Sequence, residues 1–154
     1  MTILFSSSIA NLMIGQGLLN GFSNPMAISI FGGTKPTAAQ ITASWSSYNT
    51  SNPNFLAHYL GAGWTQPNSG TILALTTIPP AIASINTGTG SWCILWATNV
   101  SAATAAGSTL PSTQFIVADV SDFSGTGVIK FTDLNFVAGV SKSVLLGNIN
   151  VTSS

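Results

Sequence analysis

The stretch from Gly127 to Val151, GVIKFTDLNFVAGVSKSVLLGNINV, decides the reading of this chain. It divides into a strand at Val128–Thr132, an apolar stub near Leu134–Val137, an Ala138-Gly139 turn and a closing strand over Ser143–Val151. In the closing strand Leu145, Ile149 and Val151 fall on one face, and Val144, Leu146, Asn148 and Asn150 on the other. Gly147 breaks the pattern, and beyond Lys142 no charge blunts the strand. An uncharged edge strand is a template for pairing with another chain. The expectation is therefore an outer strand covered by another subunit, with Val144 and Leu146 among the contacts.

Working outward, the neighbouring segments keep the same period. Gln114–Val120 reads as a strand, preceded by a long small-residue loop at Asn99–Thr113. Ser91–Thr98, SWCILWAT, is the most hydrophobic run. Trp92, Ile94 and Trp96 share one face and Cys93 and Leu95 the other, which predicts a central strand covered on both sides. Thr71–Thr77 is a strand ended by Pro79-Pro80, with pairing resuming over Ala81–Ile85. Phe55–Leu60 reads as a short strand before Gly-Ala-Gly and an exposed Trp64–Gly70 segment. Ile41, Ala43 and Trp45 alternate with hydroxyl residues and predict another strand. Met26, Ile28 and Ile30 do the same after Pro25.

Ahead of these, Ser8–Phe22 shows helical spacing. Ile9, Leu12, Met13 and Leu19 lie near one face, Ser8 is a fitting N-cap and Asn20-Gly21 a stop. About eight short strands joined by Gly, Pro, Ser and Asn turns predict an all-β fold, an antiparallel β-sandwich with a short N-terminal helix. The 154 residues fit one domain, with an arm and helix over 1–24 and the sandwich over 25–154.

Charge is the unusual total. Asp, Glu, Lys and Arg make up 4% of the chain, against about 25% in an ordinary soluble domain. There is no Arg and no Glu, and three Lys balance three Asp. Three scattered cations cannot neutralise a run of phosphates, so nucleic acid is not an expected partner. A membrane surface is excluded on the same ground. The N-terminus lacks a positive leader region and is interrupted by polar and Gly residues, so neither a signal peptide nor a spanning anchor is expected. A hydrophobic content of 45% argues against disorder. A surface of Ser, Thr, Asn, Gly and Ala with no net charge tends to associate, so a homo-oligomer is expected.

Chemistry has little to work with. Cys93, His58 and an Asp would make a nucleophile set, but Cys93 reads as a core thiol without a nearby cation. His58, the sole histidine, reads as a partly buried or inter-subunit hydrogen-bonding group. Asp119, Asp122 and Asp133 fit no calcium-loop spacing; turn capping and a pair with Lys130 suit them better. No catalytic residue, metal or cofactor is expected. Trp64, in GAGWTQPNSG, reads as the exposed aromatic. It supports a runner-up reading as a carbohydrate-binding module, and otherwise an inter-subunit contact along with Tyr48, His58, Leu12 and Leu19.

Four segments carry a resemblance. AISIFGGTKP (Ala27–Pro36) follows NLMIGQGLLNGF; then come GTILALTTIPPA (Gly70–Ala81), GTGSWCILW (Gly88–Trp96) and LNFVAGVSKSVLLGNINVTSS (Leu134–Ser154). In this order they resemble a type of small β-sandwich structural protein of tailed-bacteriophage virions. The chain departs in a longer Ala39–Gly63 segment and in lacking most acidic turn residues. The resemblance implies a non-enzymatic role in the virion, as capsid decoration, neck or tail-associated protein, with other virion proteins as partners.

Overall fold

The computed structural model describes residues 4–5, 26–44, 47–65, 72–97 and 115–150. Its elements, in chain order, are β1 (Leu4–Phe5), β2 (Met26–Gly32), α1 (Ala38–Ala43), β3 (Phe55–Thr65), β4 (Ile72–Thr77), β5 (Ile82–Ala83), β6 (Gly88–Ala97), β7 (Phe115–Asp122), β8 (Ile129–Phe131), β9 (Asn135–Phe136), β10 (Ser141–Lys142) and β11 (Leu146–Asn150). The fold is all-β with one short helix among the described residues.

The hydrophobic run at β6 lies at the centre, as its composition predicts. It pairs antiparallel with β2 from Met26↔Ala97 to Gly32↔Gly90 and with β7 from Trp92↔Asp119 to Trp96↔Phe115. Its two apolar faces enter two different cores. Cys93 and Leu95 join one cluster with Ile28, Tyr59, Trp64, Ile116, Phe131 and Ile149. Trp92, Ile94 and Trp96 join another with Phe31, Phe55, Phe115 and Ile41 of α1.

Closure explains the two cores. Among the described residues seven strands run in the order β6-β2-β3-β4-β11-β8-β7, and β7 pairs back to β6. The first cluster fills the inside of this ring, as expected for a small barrel packed by side chains. The second lies outside, over β2, β3, β6 and β7. The predicted sandwich of two open sheets thus gives way to a closed main sheet. Sequence period reports which residues alternate, not whether the last strand finds the first.

β7 and β8 form the one parallel strand pair among the described residues, with Val120↔Ile129 in register. Parallel neighbours ordinarily need a crossover of a dozen residues or more, whereas here 123–128 suffice. The chain folds back hard against β7: Val128 N–H donates to the Asp119 carbonyl at 2.8 Å, and Gly127 N–H to Ser121 Oγ at 3.0 Å. A Cβ on Gly127 would stand 2.5 Å from both Ser121 N and the Val120 carbonyl carbon, so only glycine passes there.

Other expectations need correcting. β11 is no edge. It pairs with β4 at Asn148↔Ala74 and Ile149↔Leu73, and with β8 at Leu146↔Lys130 and Gly147↔Ile129. The premise for a covering subunit on this strand therefore falls. Val144 lies in the inner core and Leu146 is half-buried. Gly147, which reads as an interruption, makes room for the Trp64 indole: an added Cβ would stand 2.9 Å from Trp64 Cη2.

The alternation at Ile41 and Ala43 belongs to a helix. Thr37 and Gln40 form a capping box, with Gln40 N–H to Thr37 Oγ1 at 3.2 Å and Thr37 N–H to Gln40 Oε1 at 2.8 Å. β3 does not stop at Leu60; Gly61, at φ 82°, absorbs a bulge and the strand continues to Thr65. The predicted helix over Ser8–Phe22 lies outside the described residues.

Candidate functional site

The residues singled out by chemistry are kept apart by the barrel wall. Cys93 points into the inner core and is fully buried, while His58 belongs to the outer layer, against Trp96. Burial, then the Asp119 charge, pushes the Cys93 thiol up from its usual range. A buried neutral thiol is a poor nucleophile. Asp119 is taken up by Lys35, 2.5 Å away.

His58 has a different partner. Its Nδ1 lies 3.0 Å from Ser29 Oγ, and Trp96 Nε1–H donates to the same Ser29 oxygen at 3.0 Å. Ser29 Oγ accepts the indole proton and can donate its own to His58 Nδ1, the ring proton then lying on Nε2. Burial lowers the His58 pKa from 6.5 to about 4, so the ring is neutral at pH 7. A serine beside a base is the start of a nucleophile set, but Ser29 is completely buried. No substrate carbonyl reaches it in this conformation. The trio ties β2, β3 and β6 together on the outer face.

Trp64 is 1% exposed, inside the barrel, so it offers no face to a sugar. Tyr48 is half-buried, edge-on to Phe31 and Trp92 at 5.9 Å from each. Leu12 and Leu19 lie outside the described residues. Of the sequence-selected contacts, then, the structure does not bring Trp64, Tyr48, His58, Val144 and Leu146 onto one surface.

What the sequence reading missed sits at the end of the barrel where β7 and β8 terminate. Asp122 caps the turn after β7: its Oδ1 accepts from Ser124 N–H at 3.1 Å, Ser124 Oγ–H at 2.8 Å and Gly125 N–H at 3.0 Å. The Ser124 and Gly125 hydrogen bonds hold its carboxyl below the usual range. Phe123 stands at the tip of this turn, 65% exposed. Lys130 Nζ donates to the Phe123 carbonyl at 3.0 Å and lies 5.9 Å from the ring centroid. The expected pairing of Lys130 with a carboxylate thus becomes a bond to a turn carbonyl.

The segment after β8 lines a trough of about 350 Å³, in which Val137, Val140 and Leu145 alternate with polar residues that include Thr132, Asp133 and Lys142. Lys142 Nζ reaches Asp133 Oδ1 at 2.6 Å and lies 5.1 Å from the Phe136 centroid. Asp133 Oδ1 also accepts from Asn135 N–H at 2.8 Å. The Lys142 and Asn135 hydrogen bonds hold the Asp133 carboxyl below the usual range. Val137 and Val140 are 50% and 55% exposed. The sequence signal for Phe123 was available: DFSG is a turn signature with an aromatic inside it.

Among the described residues no three His, Cys, Asp or Glu side chains gather as a metal site, and no helix is long and apolar enough to cross a membrane. No protein-family model, curated protein or solved structure matches the chain.

Proposed function

We propose that this chain is a non-enzymatic structural protein of a tailed-bacteriophage particle, joined to like subunits or to the capsid or tail through apolar and uncharged polar contacts. The observation that carries the assembly part is a combination. Ile78, Ile85, Phe123, Val137 and Val140 are 41–65% exposed, on a chain with only six charged residues. Exposed large apolar side chains on a surface with so little charge favour association. The virion part is supported by the resemblance of the four segments from Ala27 to Ser154.

Contacts of this kind are insensitive to ionic strength, because screening acts on charges. Purified particles should contain the chain by mass spectrometry and retain it when moved from low to molar salt. Particles that shed it at high salt would contradict the contact chemistry, and particles that lack it would contradict the virion assignment.

A further inference from the structure

We propose that β1 of one copy of this chain pairs with β7 of a second copy, an exchange of strands that rests on the assembly reading above and names its contact. The acceptor is a gap in the barrel wall. On one side β7 pairs with β6 from Trp92↔Asp119 to Trp96↔Phe115. On the other side β8 reaches only Val120 to Asp122. Among the described residues, the first half of β7 is met on that side by β1 alone, at Leu4↔Val117 and Phe5↔Ile116. An open strand edge is a template for another strand, and this one selects its occupant: Leu4 packs against the outer cluster that holds Phe115 and Val117. The strand seated in the gap is this chain's own, so the outside strand that fits it equally well is the β1 of a second copy.

The connection favours exchange. Phe5 lies opposite Ile116, Ile116 opposite Leu95, and Leu95 opposite Ile28. From β1 to β2 is therefore three strand spacings, about 15 Å. Residues 6–25 join the two strands, and a chain of that length reaches up to about 70 Å when extended. Closing so long a connection for a two-residue ladder weakens the pairing within one copy. The same bonds form with a neighbour that other contacts hold nearby. No charged residue lies in β1 or in β7 before Asp119, and Asp119 is taken up by Lys35. The contact is thus made of backbone bonds and apolar side chains, in keeping with an uncharged, salt-insensitive assembly.

The test is a disulfide trap at this pairing. Directly opposed residues of antiparallel strands stand about 4.5–5.5 Å apart at Cα, within disulfide range. The double variant Leu4→Cys, Val117→Cys is oxidised while folded, its free thiols are blocked, and it is run on a non-reducing denaturing gel. Exchange predicts covalent multimers joined through positions 4 and 117, as read by peptide mass spectrometry. A link that closes only within the monomer would overturn the exchange, and no link at all would remove the β1–β7 pairing and the proposal with it. Leu4→Asp, checked for folding by a thermal melt, should lower the light-scattering mass to that of a monomer. An unchanged oligomer in that variant would overturn the exchange while leaving the assembly reading standing. A wild type that stays monomeric at every concentration would also overturn the exchange, and the particle experiment above would then decide the assembly reading separately.

Discussion

β6 and β11 occupy equivalent places in the hydrogen-bond network yet differ in how they read. Each has a partner on both sides, β2 and β7 for the first, β4 and β8 for the second. In β6 every residue from Trp92 to Trp96 is buried. In β11 Gly147 and Ile149 are buried but Asn148 is exposed. The difference lies in the faces: the outer aromatic layer draws on β2, β3, β6, β7 and α1, with no member from β11. Hydrophobic patterning reports how many faces are covered. It does not report how many neighbours a strand has, because, proline aside, every residue offers the ladder the same backbone N–H and C=O.

That contrast can be broken at several points. The largest effect is expected at Trp64, whose indole lies inside the barrel over Gly147. Trp64→Ala should cost about 3–5 kcal/mol, the range for deleting a buried aromatic, measured by chemical denaturation. A loss below about 1 kcal/mol would mean that the wall at β11 is not packed against the interior.

The outer layer is probed by acid. The unfolded chain takes up a proton on His58 as pH falls through 6.5, whereas the folded chain resists until about 4. Stability is therefore full above pH 6.5 and declines as pH drops toward 4, by about 3 kcal/mol in all. Asp122 and Asp133 act on the stability curve below this window, since their carboxyls are held under the usual range. Urea unfolding from pH 7.5 to 4 should show the decline in the wild type and lose most of it in His58→Gln. Equal slopes in the two would remove His58 from the outer core.

Next comes Gly147→Ala, whose new methyl would lie 2.9 Å from Ile129 Cδ1 and Trp64 Cη2. Overpacking of this kind costs about 1–3 kcal/mol, and the penalty should shrink in a Trp64→Ala background because the two sites touch. Full additivity in that cycle would contradict the contact. The smallest effect is expected at Asn148→Thr, on the exposed face of β11, within about 0.5 kcal/mol by thermal or chemical unfolding.

Much of the architecture was legible. The run SWCILWAT marked the central strand and even divided its two faces correctly, because both cores leave apolar side chains in β6. Pro79-Pro80 marked the end of β4, since proline supplies no ladder donor. The strand forecast at Ile41 and Ala43 failed because three alternating residues are too few to separate periods, and the Thr37–Gln40 capping box outweighed them. Gly61 and Gly147 were read as breaks. One is a bulge that lets β3 run on, and the other is space for an indole that is distant in sequence. Closure of the ring depends on such distant pairings, that of β11 with β4 above all. The individual turn residues were visible, but their shared location at one end of the barrel was not.

Hydrogen exchange along β11 reads out whether the ring closes through this strand. Asn148 N–H points to β8, donating to the Val128 carbonyl at 3.0 Å, and the alternation of a strand turns Ile149 N–H toward β4. Closure predicts that both amides are protected, to a degree approaching those of Ile94 and Leu95 in β6. Fast exchange at one of the two, with protection at the other, would be the signature of an edge strand and would contradict the closed barrel.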